Sequence, residues 1–132
     1  MQTRYTEDSM STSQPPVVVA VVEDHPPSRT ALGRLLSAAG FEPALFESAE
    51  AYLDAAPMPT CVVVDVQLPG MSGIELQERL RAAGAAPPII VMTSSREEVI
   101  RERAQQNGCA AFSWKPLDGS TLTATIMSLA NR

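Results

Sequence analysis

Basic residues are scarce in this sequence. Ten Lys and Arg stand against fifteen Asp and Glu, a net charge of −5, and only one of the ten is a lysine, Lys115. A nucleic-acid face needs clustered Lys and Arg to meet phosphates, so the expectation is no nucleic-acid contact by this chain itself. Aromatics make up 5% of the residues, which leaves an aliphatic core to hold the fold. The two cysteines, Cys61 and Cys109, are too few and too far apart for a disulfide framework or a metal set, and read as small buried hydrophobes. No run approaches the roughly 18 consecutive apolar residues of a membrane span, and no signal peptide is visible. No membrane association and a cytoplasmic location are therefore expected.

What is present is apolar and ordered in bursts. Apolar residues reach 45% and charged ones 19%, the balance of a globular chain rather than a disordered one. Residues 1–16 are rich in Ser, Thr and Gln, end in Pro15-Pro16, show no apolar period and read as a flexible tail. From Val17 the pattern changes. Val17–Val22, Cys61–Val64 and Ile89–Met92 are runs without polar alternation, as expected of strands buried on both faces. Weaker strand signals lie at Phe41–Phe46 and Cys109–Trp114.

Helical periods fill the gaps. The first opens on Pro26-Pro27, suited to a first helical turn, continues with Leu32, Leu35, Leu36 and Ala39, and stops at Gly40. Ser48 caps a second, with Ala51, Tyr52 and Ala55 inward, and Ser72 with Glu75 make a capping-box pattern for a third, with Leu76, Leu80 and Ala83 inward. Ser95 and Glu98 repeat that spacing before a mostly polar helix over 97–106, anchored by Val99, Ile100 and Ala104 alone and so expected to be weakly held. The last helix covers Asp118–Ala130. Five strands alternating with five helices give an α/β fold, a parallel sheet covered on both faces by right-handed crossovers.

Such a sheet opens all its strand C-termini on one edge, where ligands bind. The residues just past four strands are Glu23-Asp24, Asp65, Thr93 and Lys115. Three carboxylates, a hydroxyl and the sole lysine would share one cleft. Clustered carboxylates repel unless a cation is present, and Mg²⁺ prefers oxygen donors while keeping positions open for phosphate. Thr93 can donate to a phosphoryl oxygen and Lys115 can place a charge on another, so Asp65 becomes a nucleophile forming an aspartyl phosphate.

Taken together, the acidic pair Glu23-Asp24, the phrase DVQLPGMSG from Asp65, Thr93 and Lys115-Pro116 resemble the receiver domain of two-component response regulators over about residues 17–130. The phrases FESAEAYL and PGMSGIELQERL are similar to the FixJ-like subgroup. The resemblance implies a flavodoxin-like three-layer sandwich with strand order 2-1-3-4-5, and a receiver domain over 17–132. It implies a phosphorelay in which a sensor histidine kinase phosphorylates Asp65, a switch rather than an enzyme, although it would promote its own phosphorylation and dephosphorylation. Glu23, Asp24, Asp65 and the backbone carbonyl of Gln67 would hold Mg²⁺. Thr93 would swing toward the phosphoryl group with Phe112 following as the switch aromatic, and the Lys115–Pro116 bond would be cis. Output, including a possible homodimer and transcription regulation, would pass through the helix after Thr93, the last strand and the last helix. FixJ-like regulators carry a DNA-binding domain after the receiver, and this sequence ends at Arg132: truncation and a stand-alone receiver both remain open. SSREEV after Thr93 also departs from the glycine-rich stretch of that subgroup.

Two other readings compete. One is a receiver-like interaction module that never takes phosphate, which would have no need of Glu23, Asp24, Asp65, Thr93 and Lys115. The other is a flavodoxin-type cofactor binder, whose phosphate-cradling loop is replaced here by the acidic EDHPPS. His25, beside the acidic pair, reads as an exposed loop residue. Trp114 reads as a packing residue. Ser94 and Ser95 are alternatives to Thr93 better assigned to capping, and Gln67 and Ser95 are candidates for tuning phosphate lifetime.

Overall fold

The structure is a computed structural model that describes residues 15–84 and 86–131. Most of the expected flexible tail, residues 1–14, thus lies outside the described residues; Pro15 and Pro16 are exposed coil.

The valine runs become the centre of the sheet. Strands β1 (Val18–Val22), β2 (Glu42–Phe46), β3 (Cys61–Asp65), β4 (Ile89–Thr93) and β5 (Ala111–Trp114) form one sheet in the order β2-β1-β3-β4-β5. Every neighbouring pair is parallel. β3 and β4 are buried along their whole length, because helices cover both faces. The edge strands β2 and β5 are only partly buried, and Pro43 is tolerated in β2 because an edge strand has one side free of ladder bonds.

Side-chain alternation divides the core in two. Val19, Val21, Cys61, Val63, Ile90 and Met92 pack on one face against α1 (Pro26–Ala38) and α5 (Gly119–Ala130) through Leu36, Leu122 and Ile126. Ala20, Val22, Val62, Val64 and Val91 pack on the other against α2 (Ala49–Ala55), α3 (Gly73–Ala82) and α4 (Glu98–Gln106). The fold class and strand order expected from the sequence are those observed.

Local chemistry sets the helix ends. Pro26 opens α1, the Ser48 hydroxyl accepts from the Ala51 N–H at 3.0 Å, and Ser72 and Glu75 complete both halves of the capping box. Several sequence expectations need adjustment. Phe41 is not strand: its N–H bonds the Leu36 carbonyl and closes α1, so β2 starts one residue later. Cys109 likewise donates to the Ala104 carbonyl and belongs to the end of α4, and the ladder resumes only with Ala110 donating to Ile89. The Ser95–Glu98 capping box does not form. Glu97 is the N-cap of α4 with no side-chain cap, while Ser95 is drawn into the preceding turn by its own N–H bond to Thr93. Ala39, Ala55 and Ala83 are exposed; Gly33, Ala49, Ile74 and Gln77 take the inward places instead.

The polar helix α4 is held as thinly as its composition implies. Ala104 is its one buried residue, Ile100 is half-buried, and Val99 is exposed.

Candidate functional site

Each of the four strand ends delivers its side chain to the carboxyl edge. Alternation decides which side of the sheet each one takes. Asp65 follows Cys61 and Val63 onto the α1/α5 side, whereas Thr93 follows Val91 onto the side of α4, shared by Phe112. Glu23, Asp65 and Thr93 are all buried, an unusual fate for the two carboxylates, which calls for partners.

Lys115 supplies the partner. Its Nζ lies 2.7 Å from Glu23 Oε1 and 2.9 Å from Asp65 Oδ2, so one ammonium bridges two buried acids. The Lys115–Pro116 peptide bond is cis, as the family resemblance implies. Backbone donors meet the second oxygen of each acid: His25 N–H binds Glu23 Oε2 at 3.1 Å and Gln67 N–H binds Asp65 Oδ1 at 3.1 Å. Arg29, in the first turn of α1, clamps the loop by donating to the carbonyls of Glu23 and Asp24 at 2.9 and 3.4 Å.

The two acids sharing Lys115 are perturbed in opposite directions. Burial presses the Glu23 carboxyl upward, but the Lys115 ammonium and the His25 N–H outweigh it and hold it below the usual glutamate value. For Asp65 burial wins, and its carboxyl is pushed above the usual aspartate value despite Lys115 and the Gln67 N–H. Lys115 is desolvated too, yet its two carboxylate partners raise it, so it stays charged.

Glu23, Asp24 and Asp65 each offer a carboxylate oxygen within 4.8 Å of the others. Two of these acids are buried and Asp24 is exposed at the mouth, so the cluster opens to solvent on one side. Three carboxylates against one ammonium leave two uncompensated negative charges. The donor set is all oxygen and fits a hard divalent cation.

Thr93 stands apart from this cluster. Its hydroxyl donates to Gln67 Oε1 at 3.1 Å and accepts from Ser95 N–H at 3.0 Å. Ser94 Oγ reaches the same Gln67 oxygen at 3.4 Å, and Ser94 is exposed. His25 is exposed, with its ring against Ser28 Oγ at 2.8 Å and only its backbone touching the acidic pair. Phe112 packs against the α2–α4 core and edge-on against Trp114, ring centroids 5.5 Å apart, and the Arg96 guanidinium lies over the Trp114 ring, 5.1 Å from its centroid. Trp114 is thus joined to the β4–α4 loop.

Some contacts carried no signal in the sequence. Glu50 of α2 accepts the Met71 N–H at 2.9 Å and so pins the loop after Asp65 across 21 residues. Gly73 fits beneath the phosphoacceptor candidate: a Cβ there would lie 2.3 Å from the Asp65 carbonyl oxygen. Arg29 on Glu23 and Gln67 on Thr93 are likewise visible only in three dimensions.

Comparison with known proteins accords with this geometry. The family described as response regulator receiver domain matches residues 19–127. The transcriptional regulatory protein FixJ of Bradyrhizobium diazoefficiens is 39% identical over 112 residues, covering 83% of this chain and 55% of its own length. FixJ of Azorhizobium caulinodans is 36% identical over 116 residues, 86% of this chain and 55% of that protein. The chain therefore spans about half the length of these relatives. Among solved structures, the crystal structure of FixJ-N superposes with a TM-score of 0.81 at 29% identity, over 90% of this chain and 97% of that one. Full-length FixJ from B. japonicum superposes with a TM-score of 0.79 at 38% identity, over 86% of this chain and 57% of that one. Among the described residues, no helix is long and apolar enough to cross a membrane. With its 2-1-3-4-5 parallel sheet, its acidic edge and a family match over most of its length, this chain belongs to the response regulator receiver domains and is FixJ-like among them.

Proposed function

We propose that residues 17–132 form one phosphoacceptor domain, in which Asp65 takes a phosphoryl group from a phosphohistidine on a sensor kinase. The observation that carries this reading is Asp65 itself: a buried carboxylate at a strand end, grouped with Glu23 and Asp24 and bridged by the sole lysine. An Asp65 carboxylate oxygen attacks phosphorus, a P–O bond forms as the P–N bond breaks, and the histidine ring leaves with the electron pair. Lys115 holds the acceptor carboxylate in place and meets a phosphoryl oxygen as charge moves off Asp65. Thr93 donates its hydroxyl hydrogen to another phosphoryl oxygen. Glu23, Asp24, Asp65 and the Gln67 carbonyl would hold Mg²⁺, which when bound would supply charge to offset the phosphoryl oxygens. The domain promotes its own phosphorylation and later hydrolysis without being a turnover enzyme toward another substrate.

The output follows from where the structure is weakest. Thr93 leads directly into α4, which has a single buried residue, so a shift of the hydroxyl can move the loop and helix with Phe112. The α4-β5-α5 face carries the exposed Val99 and Met127 and is the surface through which a partner or a second copy of the chain receives the signal. A cytoplasmic location, with the kinase as upstream partner and transcription as the regulated process, completes the reading. Incubation with a small acyl phosphate and Mg²⁺, followed by intact mass measurement, tests it. One added phosphoryl group on the wild type and none on Asp65→Asn is expected; no adduct on the wild type, or an undiminished one on the variant, refutes it.

A further inference from the structure

We infer that the Gln67 side chain is a latch that holds the Thr93 hydroxyl away from Asp65 in the resting protein. The inference rests on the phosphoacceptor reading of the same site, and goes beyond it by giving Gln67 a role through its side chain rather than its backbone.

Thr93 Oγ has one hydrogen to give. Thr93 is fully buried, so an unpaired hydroxyl there is costly. The hydrogen goes to Gln67 Oε1 at 3.1 Å, while the hydroxyl oxygen accepts the Ser95 N–H at 3.0 Å. Ser94 Oγ points at the same Gln67 oxygen from 3.4 Å. One amide oxygen on the loop after β3 therefore gathers the hydroxyl of Thr93, which ends β4, and that of Ser94, which follows it. The same residue holds Asp65 through its backbone N–H, at 3.1 Å from Oδ1. Thr93 can donate to a phosphoryl oxygen on Asp65 only after leaving Gln67. Gln67 is exposed, so its bond to Thr93 is weaker than a buried one and can be exchanged for water on the Gln67 side. Gln67 is thus a positioning residue. It sets how often the resting hydroxyl is free, and with it the population of the conformation ready to stabilise transfer.

A double-mutant cycle tests this. Gln67→Leu removes the acceptor while keeping the bulk. Losing one ordinary hydrogen bond should raise the initial rate of phosphorylation by a small acyl phosphate in saturating Mg²⁺ about 3- to 10-fold. In a Thr93→Val background, where there is no hydroxyl to hold, Gln67→Leu should leave the rate unchanged. A rate that does not rise, or that rises by the same factor in both backgrounds, overturns the latch. The second readout needs no phosphoryl group. In amide NMR without donor or metal, Gln67→Leu should move the Ser95 N–H resonance, which reports the Thr93 hydroxyl it donates to, and speed its hydrogen exchange. An unchanged Ser95 amide overturns the latch even if rates shift. A shifted Ser95 amide in a protein that takes no phosphate would leave the latch standing and sink the phosphoacceptor reading instead.

Discussion

Glu23 and Asp65 share one lysine and should answer the same isosteric substitution with opposite signs. Glu23 lies below its ordinary value, held there by Lys115 and the His25 N–H against the effect of burial. A depressed carboxyl contributes stability that is fully present above its unfolded value near 4.5 and is lost as pH falls through the folded value. Asp65 is raised by burial, so ionising it costs the folded protein more than the unfolded chain. That cost is absent below about 3.8, grows as pH climbs from there through the folded value, and is complete above it. At pH 7, Glu23→Gln weakens two charge-assisted hydrogen bonds and should cost about 1–3 kcal/mol. Asp65→Asn removes a buried charge and leaves Glu23 and Lys115 as a balanced pair, a gain of about 1 kcal/mol of the kind bought back when a functional residue is removed. For a domain of this size 1 kcal/mol moves Tm by about 4 °C. Thermal unfolding followed by circular dichroism in EDTA at pH 7 reads both. The gap between wild type and Asp65→Asn should also close near pH 3. Shifts of the same sign for the two variants, or a destabilised Asp65→Asn, would refute the electrostatic reasoning.

Gly73→Ala drives a methyl into the Asp65 carbonyl, which is backbone and cannot swing aside. Unfolding in denaturant should show a loss of about 2–3 kcal/mol, with the Asp65 region the most displaced in amide NMR. Lys115→Met strands two buried carboxylates without a cation, which should cost about 3–5 kcal/mol at pH 7 in EDTA. Millimolar Mg²⁺ should restore much of that Tm if the acidic cluster holds the ion, and no recovery would count against the metal assignment.

The sheet was readable because its strands are written as unbroken β-branched runs, and a parallel sheet buried on both faces leaves few other uses for them. The site was readable for the same reason: once Val22, Val64, Met92 and Trp114 are near strand ends, Glu23, Asp65, Thr93 and Lys115 must meet at one edge. What resisted reading is whatever depends on contacts between loops. The bond from Thr93 to Gln67 spans 26 residues, and nothing in either neighbourhood marks one as the partner of the other. The start of α4 misled because the Ser95–Glu98 spacing matches a cap, whereas the Ser95 N–H had already been claimed by Thr93. Helix faces drifted at their last turns, where Ala39, Ala55 and Ala83 carry too little apolar surface to be held inward.

The central claim is that the acyl phosphate forms on Asp65 and on no neighbouring acid. Phosphorylate the full chain with a small acyl phosphate and Mg²⁺, reduce with borohydride, which converts a phosphorylated aspartate to homoserine, then digest and sequence by tandem mass spectrometry. Homoserine at position 65 alone is the expected result. Reduction at Glu23 or Asp24, or an unmodified position 65 in protein that carries phosphate, would contradict it.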